Sequence, residues 1–195
     1  LATSDAQSNR SADLERLISS VENFLRESHS VSVKLYLLIQ RGNVDIKMND
    51  VREHFITIFS SPSLVPSSVA RNKLLEAARD NLTDDAIVAF PDDDCWYPDR
   101  LLAHIVSQFE DPNVEFWFSR YASPPQPLES YGTPKEVPAK LQQAISRGAC
   151  NTIFIRGDLV KRVGYFDERL GIGSDIKGGE DTDYSIRSFY AAKLS

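Results

Sequence analysis

Three consecutive carboxylates, Asp92, Asp93 and Asp94, follow the apolar run Ala86-Ile87-Val88-Ala89-Phe90-Pro91 and precede Cys95-Trp96-Tyr97-Pro98. Carboxylates packed this closely repel one another and lower stability unless a cation or hydrogen-bond donors offset the charge. A buried apolar strand delivers its C-terminal end to the rim of an open α/β sheet, which is where such sheets bind ligands. Hard oxygen ligands at that rim suit Mg²⁺ or Mn²⁺, and those ions in turn suit a diphosphate. The plainer reading is that one Asp assists the turn before a helix opened by Pro98-Asp99, a role that needs one acid rather than three.

A second acidic group, Glu180-Asp181-Thr182-Asp183, follows Gly178-Gly179. Paired glycines admit tight backbone geometry or the close approach of a ligand, and the acids stand at the start of a helix expected to run through Ile186, Phe189 and Tyr190. Acids in that place are ordinary caps. The combination with the first motif gives the group a chemical role, because a carboxylate in reach of a hydroxyl can take its proton as the hydroxyl attacks.

The elements that must hold these acids are legible in the periodicity. Leu14, Leu17, Ile18, Val21, Phe24 and Leu25 share one face of a helix expected over about Ser11 to Glu27. Val33 to Ile39 is too apolar for a one-sided surface strand and stops at Arg41-Gly42-Asn43. A further strand is expected over His54 to Ser60, a helix from Ser67 through Asn81, and the acid-bearing strand over Ala86 to Phe90. A helix from Pro98 and a strand over Val114 to Arg120 follow, then a proline-broken segment from Ser123 to Pro138 that fits neither element and reads as a long loop. Alternation of this kind predicts a largely parallel sheet covered by helices, Rossmann-like in its first half.

At 195 residues, 42% hydrophobic and 26% charged, the chain fits one globular domain. Its 28 acids against 22 bases, a net charge of −6 with no long basic run, argue against a surface that tracks nucleic-acid phosphates. A phosphorylated ligand would therefore need local help from a metal. Cys95 and Cys150 lack zinc spacing and read as free thiols. No stretch approaches ~18 uninterrupted apolar residues, and the N-terminus lacks a leader-peptide pattern, so the chain is expected to be soluble and intracellular.

Four blocks, in order, give the chain a resemblance to the family-2-like, GT-A-fold nucleotide-sugar glycosyltransferases. They are Asn9-Arg10 with Leu14, Leu17 and Ser20-Val21; Ser68-Val69-Ala70-Arg71-Asn72-Lys73-Leu74; Phe90-Pro91-Asp92-Asp93-Asp94 through Leu101; and Gly164-Tyr165-Phe166-Asp167-Glu168-Arg169-Leu170 followed by Gly179-Glu180-Asp181. The resemblance implies an α/β GT-A domain with a Rossmann-like, mostly parallel central sheet flanked by helices. Residues 1–100 would form its nucleotide-sugar half and residues 101–195 its acceptor half. It implies a metal-dependent, inverting transfer of a hexose from a UDP-sugar, with Mn²⁺ or Mg²⁺ as cofactor, to a glycan, polysaccharide or lipid-linked sugar. That work would be cytoplasmic, in peripheral contact with the inner face of the membrane.

By the same resemblance Asp94 binds the metal, Asp92 holds the ribose or a metal-bound water, and Asp93 is the variable middle residue beside the nucleotide. Arg71 faces the nucleotide or diphosphate. Thr3 and Gln40 flank the base, although relatives carry a proline-threonine pair and an acidic residue where this chain has Ala2-Thr3-Ser4 and Gln40-Arg41. Asp181 is the expected base and Glu180 the holder of a neighbouring acceptor hydroxyl, with the two roles exchangeable. The glycines before Glu180 point towards a galactose donor, with glucose or an N-acetylhexosamine still open. The histidine such enzymes often use as a third metal ligand, beyond the second acidic motif, has no counterpart, since His29, His54 and His104 all come earlier; water or a segment beyond this sequence would complete the coordination. Trp96, Trp117 and Tyr131 are either core or sugar-stacking aromatics.

Rival classes fit less well. A haloacid-dehalogenase-type phosphatase would want Thr where Trp96 stands, and a sugar nucleotidyltransferase would want a glycine-rich phosphate loop where Leu1 to Arg10 has no glycine. A catalytically silent sugar-nucleotide or glycan-binding module of the same fold is the alternative left open by the residues.

Overall fold

The structure, a computed structural model, describes residues 1–28, 30–120 and 138–193. His29, Tyr131 and all but Pro138 of the expected proline-broken loop lie outside the described residues.

Strand β1 (Ala2–Asp5) leads into helix α1 (Ser11–Glu27), strand β2 (Leu35–Gln40), helix α2 (Asp50–Phe55), strand β3 (Ile56–Ser61) and helix α3 (Ser67–Ala77). β2 pairs in parallel with β1 on one side and with β3 on the other, so that Asp5, Gln40 and Ser61 end level on one rim. All six residues of β2 are buried, as expected for a strand covered on both faces. Leu35, Leu37 and Ile39 pack against Leu14, Leu17, Ile18 and Val21 of α1. Tyr36 and Leu38 point the other way, into the cluster formed by Ala70, Leu74 and Leu75 of α3. A Leu37→Ala change would cost about 2–5 kcal/mol on the scale of buried large-to-small substitutions.

The second half contains β4 (Ile87–Ala89), α4 (Leu101–Gln108), β5 (Phe116–Phe118), α5 (Leu141–Arg147), β6 (Ile153–Arg156), α6 (Gly157–Val163) and α7 (Glu180–Lys193). Here β6 lies between β4 and β5 and runs antiparallel to both. The two three-stranded sheets meet at β1 and β4. Leu1 N donates to the Ala89 carbonyl at 2.8 Å, and the Ser4 hydroxyl donates to Asp93 Oδ2 at 2.7 Å, three residues further along one segment and four along the other. The contacts advance together, the sense of a parallel pair. β1 and β4 thus form the point where the strand order reverses, and the carboxyl ends of strands at such a point frame a crevice.

Some boundaries differ from the sequence expectation. His54 and Phe55 belong to α2 rather than to the strand that follows. The Asn49 side chain accepts from Arg52 N at 2.9 Å and caps that helix, holding the backbone helical for one more turn. α4 begins at Leu101, after Arg100 in the left-handed region at φ 67°, instead of at Pro98. β6, which no expectation assigned, is the antiparallel strand of an otherwise Rossmann-like arrangement.

Candidate functional site

β4 ends in a tight turn in which Cys95 N donates to the Asp92 carbonyl at 3.1 Å. The turn sends the three acids in different directions. Asp93 points inward: it is buried, its Oδ2 accepts from Ser4 and its Oδ1 accepts from Arg10 Nη1 at 3.0 Å. It ties the loop to the end of β1. Asp94 is exposed and lies 3.3 Å from the same Arg10 nitrogen, and Asp92 is partly exposed to the crevice. Ser4 and Arg10 were not foreseen as site residues; Arg10 stands in the first of the four sequence blocks, and only the fold brings it to the acids.

On the other side of the crevice Glu180 and Asp181 open α7. Glu180 Oε1 accepts from Ser67 Oγ at 3.0 Å, and Asp181 Oδ2 accepts from Cys150 N at 3.1 Å. Between the two acidic groups lies Arg71, on α3. Its Nη2 donates to Asp92 Oδ1 at 3.0 Å, and its Nη1 to Asp181 Oδ1 at 3.1 Å and Glu180 Oε1 at 3.4 Å. One guanidinium, with its side chain 10% exposed, therefore joins motifs more than eighty residues apart in sequence.

α3 is locked to the segment before α7 by buried amide bonds. Asn72 Oδ1 accepts from Phe166 N at 2.8 Å, while its Nδ2 donates to Phe166 O and Glu168 Oε1, both at 3.0 Å. Ser68 Oγ donates to Leu170 O at 2.5 Å. Gly171, at φ 108°, passes so close that a β-carbon there would stand 2.4 Å from Ser67 Oγ. Only glycine meets both requirements, and it lets Ser67 reach Glu180. The second and fourth sequence blocks are in this way two sides of one rigid support.

Within this cluster of described residues, Asp92, Asp93, Asp94, Glu180 and Asp181 share the two guanidinium groups of Arg10 and Arg71. Burial pushes the Asp92 carboxyl above its usual range; Arg71 opposes this, whereas Asp181 and Asp94 add to it. The surplus of negative charge is what a divalent cation would relieve. Ligand atoms of Asp92, Asp94 and Cys95 lie within 4.8 Å of one another. Burial also pushes the Cys95 thiol up, and its sulfur accepts from Asn151 Nδ2 at 3.4 Å. Two of these three candidate donors are carboxylates, hard oxygen ligands that suit Mg²⁺ or Mn²⁺. The Cys150 thiol, buried beneath the crevice, is raised well above its ordinary value by burial and stays neutral.

Other expected residues take quieter places. Thr3 is half-buried in β1, opposite Leu38. Gln40 is buried at the end of β2, where its Oε1 accepts from Val65 N at 2.8 Å and holds the loop before α3. Arg41 turns back to Asp5, Nε to Oδ1 at 3.0 Å, across the same rim. Trp96 lies under the Arg16 guanidinium, 4.0 Å from its ring centroid, and Trp117 packs with Ile105, Phe109 and Phe154. A shallow groove of about 520 Å³ between Val69, Lys73, Glu76 and Tyr165 contains none of the five acids.

No family model and no curated protein matches the chain by sequence. Among solved structures, that of S. aureus TarS residues 1–349 superposes with a TM-score of 0.64 at 14% identity, covering 96% of this chain. The mixed α/β fold of this chain resembles that of TarS, a glycosyltransferase. This chain spans 54% of the TarS structure, a little over half of its length. Among the described residues no helix is long and apolar enough to cross a membrane.

Proposed function

We propose that the chain is the GT-A-type domain of a metal-dependent, inverting glycosyltransferase that moves a hexose, galactose or glucose, from a UDP-sugar to a hydroxyl of a glycan, polysaccharide or lipid-linked acceptor. Residues 1–100 would form the donor half and residues 101–195 the acceptor half. Peripheral work at the inner face of a membrane belongs to the same reading. The observation that carries it is the Arg71 bridge, which sets Asp92 and the pair Glu180–Asp181 on opposite sides of one crevice at the switch point of a glycosyltransferase-like fold.

In this reading Asp92 and Asp94 hold the cation, and Asp93, through Ser4 and Arg10, fixes the turn that aims them. Bound there, a divalent cation supplies Lewis-acid neutralisation of the departing nucleoside diphosphate. Thr3 and Gln40 lie on the strands beside the base. Asp181 takes the acceptor's hydroxyl proton while that oxygen attacks the anomeric carbon from the face opposite the leaving group. The bond from that carbon to the phosphate oxygen breaks, and its electron pair leaves with the diphosphate. Of the roughly four lone pairs on the Asp181 carboxylate, Arg71, Cys150 N and the Cys150 thiol engage three, so the carboxylate is oriented yet still able to accept. Glu180, held by Ser67, would bind a neighbouring hydroxyl of the acceptor.

Calorimetric titration with UDP, in Mn²⁺ and again in EDTA, tests the donor site. Binding that requires the metal is the expected result. UDP binding that is equal in both conditions, or absent from both, would overturn the metal-dependent UDP assignment.

A further inference from the structure

Arg71 spends its charge on two motifs at once. Nη2 lies on Asp92 Oδ1 at 3.0 Å, and Nη1 is shared by Asp181 Oδ1 at 3.1 Å and Glu180 Oε1 at 3.4 Å. A guanidinium stays charged at every accessible pH and presents its donors in a fixed fork. As long as Asp92 lies on that fork, one of its oxygens is committed to an internal cation, and a divalent ion drawing on the same carboxylate meets a like charge beside it.

We propose that Arg71 is a positioning residue that competes with the divalent ion for Asp92, so that cation loading on one side of the crevice is coupled through a single side chain to Glu180–Asp181 on the other. The inference rests on the reading above that Asp92 and Asp94 hold the donor's cation. Glu180 and Asp181 stay within reach of Arg71 however its charge is shared, because Ser67 Oγ holds Glu180 and Cys150 N holds Asp181. The Phe166 ring, 5.6 Å from the guanidinium carbon, and the burial of α3 leave Arg71 little room to swing away. Relieved of Asp92, its Nη2 stays in the crevice with a donor to offer the nearest anion, which on this reading is the diphosphate. Arg71 is thus an exchangeable counterion: it neutralises the acids while the crevice is empty and passes its charge to the donor when the donor arrives.

The competition has a signature that a merely structural arginine would not give. Mn²⁺ alone, with no nucleotide, is titrated into the wild-type chain and Arg71→Gln while the free ion is followed by electron paramagnetic resonance. Loss of the competing charge is expected to tighten Mn²⁺ about tenfold, the change that one removed like charge at this range supports. Affinity that is unchanged, or weaker because the loop has loosened, would overturn the proposal. Should Arg71→Gln not fold, Arg71→Met removes the same charge and keeps an unbranched apolar stem; it is expected to tighten Mn²⁺ comparably, and wild-type or weaker affinity in it counts against the coupling. UDP titration of the wild type in Mn²⁺ separates the two levels. Metal-dependent UDP binding without tighter Mn²⁺ in the variants removes the coupling alone, whereas a wild type that binds neither ligand removes the donor-site reading with it.

Discussion

Two buried arginines organise this molecule, and they do so on opposite terms. Arg52, on α2, donates from Nε to Glu22 Oε2 at 2.7 Å, from Nη1 to Glu15 Oε2 at 3.0 Å and Lys47 O at 2.9 Å, and from Nη2 to Ser19 Oγ at 3.1 Å. Arg26 completes the set, 2.6 Å from Glu22. Two carboxylates meet two guanidinium groups, and every nitrogen of Arg52 has a partner. Hydrogen bonds from Arg26 and then Arg52 pull the Glu22 carboxyl down to about 2. Arg71 instead stands among three carboxylates from two motifs, and one of these, Asp92, is shifted upward in spite of the contact. A balanced cluster holds two helices together. A cluster left with surplus acid is one that the proposed cation would stabilise, and this imbalance distinguishes the candidate site from the scaffold.

The largest expected effect is on turnover. If the surplus acid does chemistry, Asp181→Asn should lower release of UDP from a UDP-sugar by ~10² or more while leaving UDP binding and the unfolding midpoint close to wild type. Retained turnover would remove Asp181 as the base. A wild type that binds UDP and turns over no donor would favour a silent binding module, and the comparison would then be between a scaffold and a ligand cradle.

Arg52 should show the converse. Arg52→Ala leaves Glu22 to Arg26 and Asn49 and leaves Glu15 to solvent, and is expected to cost about 3 kcal/mol, the low end of the range for breaking one side of a buried pair. For a domain of this size that corresponds to a fall of roughly 10 °C in the thermal midpoint. At temperatures where the variant stays folded, metal-dependent UDP binding should match wild type. A loss of UDP binding without a loss of stability would mean that the two clusters do not divide the work in this way.

Where an element's identity depended on its own neighbours, it was legible in the sequence. The stripe from Leu14 to Phe24 predicts α1 over about its observed span, the apolar run ending at Ile39 locates β2, and the helix expected from about Ser67 through Asn81 starts there but ends at Ala77, ahead of a 3₁₀ turn over Arg79–Asn81. α2 was hidden because Phe55-Ile56 continues the strand pattern, while the interactions that keep Arg52 helical come from Glu15 and Glu22, on a helix some thirty residues earlier. An Asn at position 49 with acids at 50 and 53 was the signal that could have found it. β6 has the composition of any buried strand, and its direction is fixed only by pairing with β4 and β5. Within the site, composition and spacing pick out both acidic groups but set no order among the three aspartates, which at that level the resemblance alone distinguishes. The Cys95–Asp92 turn sets that order by sending Asp93 inward to Ser4. Nor could local pattern reveal that Arg71 would reach Glu180, 109 positions away.

The smallest effect is the most direct measure of the difference between the clusters, because the two carboxyls bend the stability curve in opposite senses. Glu22 titrates lower in the folded chain than in the unfolded one, from about 4.5 down to about 2. Its contribution, roughly 3 kcal/mol by proton linkage, is complete above the unfolded value and is lost as pH falls through that window. Asp92 titrates higher when folded, so its share runs the other way: it is fully present below its unfolded value of 3.8 and lost as pH rises through the folded one. Denaturant unfolding followed between pH 6 and pH 2 should therefore be flatter in Glu22→Gln, which removes the term lost in acid. It should be slightly steeper in Asp92→Asn, which removes the opposing term. Asp92→Asn should also be marginally more stable than wild type at neutral pH, since an uncharged amide costs less to bury and no longer faces Asp181 and Asp94, while the proposed hold on Mn²⁺ would be lost. Equal slopes in the two variants would place Asp92 in a balanced cluster like that of Arg52 and remove the electrostatic argument for a cation at the crevice.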